Sequence, residues 1–246
     1  MWLINTQTLP LEHFFDEKPP PYAILSHTWE DQEIYFQEME SKEDVNGKKG
    51  YKKVKKCCNK AKEDGYNFAW VDTCWGQWIV TLGSIDKTSS AELSEAINSM
   101  FRWYENSDIC AVYLGKIFDV QGYFKRSRWF TRGWSLQELI ASSIVEFYTA
   151  DCSAIGTKDT LKEQIAGITG IDSRALGGED LSTYNVAERM SWAAFRETTR
   201  LEDKAYFLLG IFQVNMPLLY GEGRRAFLRL QEEILRTTED YTIFAW

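Results

Sequence analysis

Four short apolar runs set the strongest limit on how this chain folds. They are Tyr22-Ala23-Ile24-Leu25-Ser26, Phe68-Ala69-Trp70-Val71-Asp72-Thr73, Asp108-Ile109-Cys110-Ala111-Val112-Tyr113-Leu114 and Ile144-Val145-Glu146-Phe147-Tyr148. Runs of this length, rich in β-branched and aromatic residues and ending in polar groups, read as buried strands. The stretches between them carry helical spacing instead. Over residues 51–64, Val54, Cys57, Cys58 and Ala61 fall at i, i+3, i+4 and i+7, and Gly65 supplies the stop. Over residues 89–104, Leu93, Ile97, Met100, Phe101 and Tyr104 share one face behind a Ser89/Glu92 capping box. Strands alternating with helices predict an α/β fold, a mostly parallel sheet flanked by helices.

Beyond residue 157 the strand signal fades and helices take over. Residues 161–169 read as a short helix, 170–180 as a glycine-rich loop, and Asn185 with Glu188 as the start of another helix. Thr199 with Glu202 caps a third, whose stripe is Leu201, Ala205, Leu208, Leu209 and Phe212. Residues 216–223 are a turn-rich connector into a last amphipathic helix carrying Phe227, Leu230, Ile234 and Leu235. No linker-like composition separates the halves. The expected organisation is a sheet domain over 1–157, with its core at 22–150, and a helical extension over 158–246 packed on it.

Composition narrows the function. With 36 acidic against 28 basic residues the net charge is −8, which argues against a general nucleic-acid or anionic-membrane binder. The lysines at 52, 53, 55, 56, 60 and 62 read as one solvated helix face. No apolar run reaches the roughly 20 residues of a membrane span, and the N-terminus lacks a signal-peptide pattern, so a cytoplasmic protein is expected. Five scattered cysteines without Cys-x-x-Cys spacing read as reduced thiols, mostly core filler. With two histidines, His13 and His27, a histidine-based metal site is not expected, and no cofactor fingerprint or phosphate loop occurs.

In open parallel sheets, ligands bind outside the carboxyl ends of the strands. That rule brings together Ser26, His27, Thr28 and Trp29 from the first strand, Asp72, Thr73 and Cys74 from the second, and Arg128, Arg132, Trp134 and Glu138 beyond the third. Such a set can stack a base, meet phosphates and hold a ribose. Glu138 has a second reading. Ser135 and Glu138 have capping-box spacing, and Trp134 with Leu139 the spacing of a hydrophobic staple. For His27 the plainer role is a strand-end hydrogen bond, for Asp72 a loop cap, and for the tryptophans core packing.

The blocks 22–29, 70–74, 85–104 and 128–139 occur in an order that resembles the fungal heterokaryon incompatibility (HET) domain. Arg189-Met190-Ser191-Trp192-Ala193, Glu202-Asp203 and Leu218-Leu219-Tyr220-Gly221-Glu222-Gly223 resemble the segment that commonly follows it. The resemblance implies a cell-death effector module that acts when genetically unlike fungal cells fuse. Its implied partners are further copies of itself, an NLR-type nucleotide-binding receptor or another incompatibility protein. HET domains are in turn distantly similar to Toll/interleukin-receptor (TIR) domains, which implies a TIR-like, flavodoxin-like sheet. The block 133–139 is similar to the TIR segment in which a tryptophan precedes the glutamate that cleaves NAD⁺. By that alignment Glu138 is the catalytic candidate, and His27, Trp29, Asp72, Arg132 and Trp134 are candidates for holding the substrate; NAD⁺ is the candidate substrate and no cofactor is implied. The alternative is a non-catalytic, self-associating signalling module. One departure stands out: the family runs almost directly from Asp-Thr-Cys into Ile-Asp-Lys, whereas residues 75–84 intervene here. They read either as a lid at the site edge or as retained intron sequence.

Overall fold

The computed structural model describes residues 1–14, 19–28, 48–71, 87–114 and 124–245, with side chains at all of these except 49 and 87–92. Strands β1 (Trp2–Asn5), β2 (Leu11–His13), β3 (Tyr22–His27), β4 (Phe68–Val71), β5 (Ile109–Tyr113), β6 (Val145–Tyr148) and β7 (Ala154–Thr157) form one sheet in the order β2-β1-β4-β3-β5-β6-β7. The four anticipated runs are its centre, β4-β3-β5-β6, and every pairing among them is parallel. Both edges depart from the expected mostly parallel sheet: β1 pairs antiparallel with β4 and with β2, and β7 pairs antiparallel with β6. β2 (Leu-Glu-His) and β7 (Ala-Ile-Gly-Thr) carry too few apolar positions to register as strands and are formed by pairing with β1 and β6, while β1 (Trp-Leu-Ile-Asn) is a short apolar strand not anticipated from the sequence.

The sheet is covered on two faces because its central strands are apolar on both. On β3, the period of two sends Ala23 and Leu25 to one side and Tyr22 and Ile24 to the other. Ala23 and Leu25 pack with Val54, Cys57, Cys58 and Ala61 of α1 (Lys49–Glu63). Tyr22 and Ile24 join Trp70, Cys110 and Val112 in the larger core, where the Trp70 ring meets Trp103 and Tyr104 of α2 (Lys87–Glu105). Gly65, with φ +89°, ends α1 as its sequence anticipated. The Ser89/Glu92 box falls on positions whose side chains lie outside the described set.

The short helix α3 (Ser135–Ala141) follows β5 in the chain and leads into β6. Seven residues are too few for a stable isolated helix. Burial holds it: Leu136 and Leu139 are fully buried and Ile140 nearly so, each contributing about 1.5–3 kcal/mol.

The extension comprises α4 (Lys162–Thr169), α5 (Ser173–Leu176), α6 (Val186–Ser191), α7 (Asp203–Tyr206), α8 (Leu209–Phe212) and α9 (Arg225–Thr237). Its buried Tyr206, Phe207 and Leu230 lie in one cluster with Trp129, Leu136 and Phe147 of the sheet region. Asn185 and Glu188 form the anticipated capping box of α6. The single helix expected over 201–212 is instead α7 and α8, broken at Phe207–Leu208, and Thr199 caps neither. Glu202 explains the difference. Its carboxylate accepts the backbone N–H groups of Gly221 at 2.8 Å and Gly223 at 2.9 Å, so the start of α7 is fixed by a distant turn. Both glycines have positive φ, which only glycine adopts without cost. The loop expected at 170–180 also contains the turn of α5, capped by Asp172.

Candidate functional site around Glu138

β3 is the switch point of the parallel block. The chain pairs β4 on one side of it and β5 on the other, and crevices for ligands open at the carboxyl end of such a strand. Ser26 and His27 occupy that end. Strand alternation sends the Ser26 side chain to the α2–α3 face and the His27 imidazole to the α1 face.

Glu138 meets Ser26 there. The Ser26 hydroxyl donates to Glu138 Oε2 and accepts the indole N–H of Trp129 at 2.6 Å. All three residues are buried, Glu138 to 3% exposure. Arg132 closes the other side, its Nη1 standing 3.6 Å from Glu138 Oε1 and donating to the His27 carbonyl at 2.7 Å. Thus the carboxylate lies between a hydroxyl and a half-buried guanidinium, both held by other groups. Below it on β5, Cys110 is fully buried; burial, and then the Glu138 charge, push its thiol far above the ordinary range, so it is an inert core residue.

This geometry removes the capping box at α3. Ser135 is inside the helix, Trp134 is the cap residue, and no side chain caps the turn. The Ser135 hydroxyl shares its one proton between the carbonyls of Trp129 and Arg132 and accepts from Arg196 Nη1 at 2.9 Å. Tertiary partners outbid the local pattern.

Arg196 is the buried strut of this region. Its Nη1 also donates to the Arg132 carbonyl at 2.9 Å and its Nε to the Trp192 carbonyl at 3.1 Å. Burial lowers its pKa to about 10, opposed by the Glu138 charge. Next to it, Gly133 N–H donates to the Glu197 carbonyl and Glu197 N–H to the Thr131 carbonyl, which straps residues 131–133 to the extension.

Of the residues anticipated from the sequence, the structure brings together Glu138, Arg132 and the backbone of His27. Trp134 goes elsewhere: its ring meets Phe207 edge-on, and its indole stands beside Asp203. Burial raises the pKa of Asp203 against the lowering effect of that indole, and the carboxylate accepts from Tyr220 at 2.9 Å. Trp29, Asp72, Cys74 and the 75–84 segment lie outside the described residues. Sequence reading underweighted Ser26, although its place as the last residue of an apolar strand, buried and polar, was a usable signal. Trp129 looked like core, and nothing local marks Arg196. Among the described residues, no group of three His, Cys, Asp or Glu side chains is arranged to hold a metal ion. No described helix is long and apolar enough to cross a membrane.

Comparison with known proteins places these features in context. Residues 225–246, including α9, match a model described as a domain of unknown function (DUF8212). The vegetative incompatibility protein HET-E-1 of Podospora anserina is 46% identical over 230 residues, covering 88% of this chain. The chain spans 16% of that relative's length. No solved structure matches. Over nearly all its length, then, the chain is homologous to one segment of a fungal vegetative incompatibility protein.

Proposed function

We propose that this chain is a HET-type effector module acting in the cytoplasm in heterokaryon incompatibility, and that it cleaves the nicotinamide–ribose bond of NAD⁺ with Glu138. The observation that carries the chemistry is a carboxylate without a capping role, buried beside the carboxyl end of the switch-point strand. Breaking an N-glycosidic bond develops oxocarbenium character, which a nearby anion stabilises. Ser26 and Trp129 would fix the Glu138 oxygens, and Arg132 is the cation placed to meet a pyrophosphate. The order of the parallel block, its second strand beside the first and then the third and fourth, is that of flavodoxin-like sheets and supports a TIR-like reading. We divide the chain into the effector domain, 1–157, and the helical extension, 158–246. Self-association and engagement of an NLR-type receptor or an incompatibility partner belong to the same proposal.

One observation favours a second reading, a non-catalytic interaction module. Glu138 is 3% exposed and flanked at both oxygens, as a purely structural carboxylate would be. NAD⁺ consumption by concentrated wild-type protein, measured beside Glu138→Gln, separates the two. Turnover in the first and none in a folded variant is the expected result. Equal turnover in both would remove Glu138 from the chemistry, and none in either would leave the interaction module.

A further inference from the structure

A cavity of about 480 Å³ opens between α6, α7 and α9, on the extension side of Arg196. Its volume falls in the range of small-molecule sites. Phe207, Leu208 and Leu228 give it apolar walls, and Leu228 stands 55% exposed there. The charged part of the lining is of one sign, Arg196, Lys204 and Arg224, without an aspartate or glutamate, and Gln231 is its neutral polar group. Among the described residues none of these three cations has a carboxylate within ion-pair distance. Arg196 also keeps a buried Nη2 that makes no hydrogen bond. Two exposed cations, Lys204 and Arg224, beside the buried Arg196 around an apolar hollow, on a chain whose net charge is −8, form a local field opposite to that of the whole.

We propose that this cavity binds a single-chain anionic amphiphile, a carboxylate on an apolar tail. The tail would lie against Phe207, Leu208 and Leu228, and the head group would take the charge of Lys204 and Arg224 at the mouth. The site is separate from Glu138 but shares a residue with it: Arg196 lines the cavity and holds the Ser135 hydroxyl and the Arg132 carbonyl. Occupancy at the one is therefore felt by the guanidinium that positions the other.

The test is calorimetric titration of the full chain with decanoate below its micelle concentration, beside decanol and a Lys204→Gln/Arg224→Gln variant. Both substituted positions are exposed, so the fold is retained. Saturable one-to-one binding of decanoate is expected, with decanol about tenfold weaker and the double variant losing about tenfold for decanoate alone. Equal affinities for acid and alcohol, an unaffected double variant, or no saturable binding would each overturn the proposal. So would capture by phosphatidylglycerol vesicles without binding of free decanoate, which would make the face a membrane surface.

Discussion

Lys158 lies under the helix that carries Glu138, and its titration reports on that packing. It is 5% exposed, and its Nζ donates to the carbonyls of Leu139, at 3.2 Å, and Ser142 at the end of α3. Burial lowers its pKa from 10.5 to about 8. At about 1.4 kcal/mol per unit, holding the charged amine in the fold costs about 3 kcal/mol. The sign follows from proton counting. Below pH 8 both folded and unfolded chains carry the proton, so the whole cost is present. Between 8 and 10.5 the unfolded chain keeps a proton that the folded chain has released, so stability rises with pH by up to about 1.4 kcal/mol per unit. Above 10.5 both are neutral and the cost is gone. Lys158→Met removes this titration while leaving two carbonyls without a donor, a loss of about 1–3 kcal/mol that does not depend on pH. Urea unfolding of both proteins at about pH 7, 8.5 and 10 is the assay. Wild type should gain about 2–3 kcal/mol on the variant between the ends of that range. Tyrosines and Cys110, whose raised pKa values act in the opposite direction, occur in both proteins and cancel in the difference. Parallel pH profiles would show that the amine is solvated and the packing beneath α3 looser than described.

Two substitutions test the frame around the site. Gly133→Ala places a methyl 2.6 Å from Phe207 Cδ1 and Thr198 Cγ2, so thermal unfolding should show a loss of about 1–3 kcal/mol, and a melting point within a degree of wild type would mean that residues 131–133 are not strapped to the extension. Ser26→Ala leaves the Trp129 indole N–H and one Glu138 oxygen buried without their partner, so urea unfolding should give a loss of about 2–4 kcal/mol, and a loss under 0.5 kcal/mol, about that of a surface change, would refute the three-residue chain.

The sheet was legible where its strands are central. Residues 22–26 or 144–148 are apolar on both faces because both faces are covered, and that leaves a run visible in one dimension. β2 and β7 are the edge strands, of three and four residues with at most two apolar positions each, held by pairing with β1 and β6, so their sequences show little. The same distinction separates α6 from α7. Asn185 and Glu188 cap α6 with groups three residues apart, whereas Glu202 reaches Gly221 and Gly223 across a turn that spacing cannot reveal. Of the candidates, Arg132 and Glu138 were read from one block and His27 from another through the carboxyl-edge rule, and the geometry brings the three together. Trp134 follows neither: its ring is drawn to Phe207 and Asp203 of the extension, and only tertiary structure decides which side of a helix start a cap residue faces.

The Ser135/Glu138 pair carries the most consequence, because the same spacing supports a capping box and a catalytic carboxylate. A capping glutamate sits at a helix start, exposed to water, and costs little to keep. Glu138 is buried, and a carboxylate taken out of water loses several kcal/mol of hydration, so it is held by tertiary partners, among them the Ser26 hydroxyl and the Arg132 guanidinium 3.6 Å away. Helix capping gives no reason for the carboxylate, since Ser135 spends its hydroxyl on Trp129, Arg132 and Arg196. A buried carboxylate without a capping role, beside the carboxyl end of the switch-point strand, is the physical ground for testing Glu138 first.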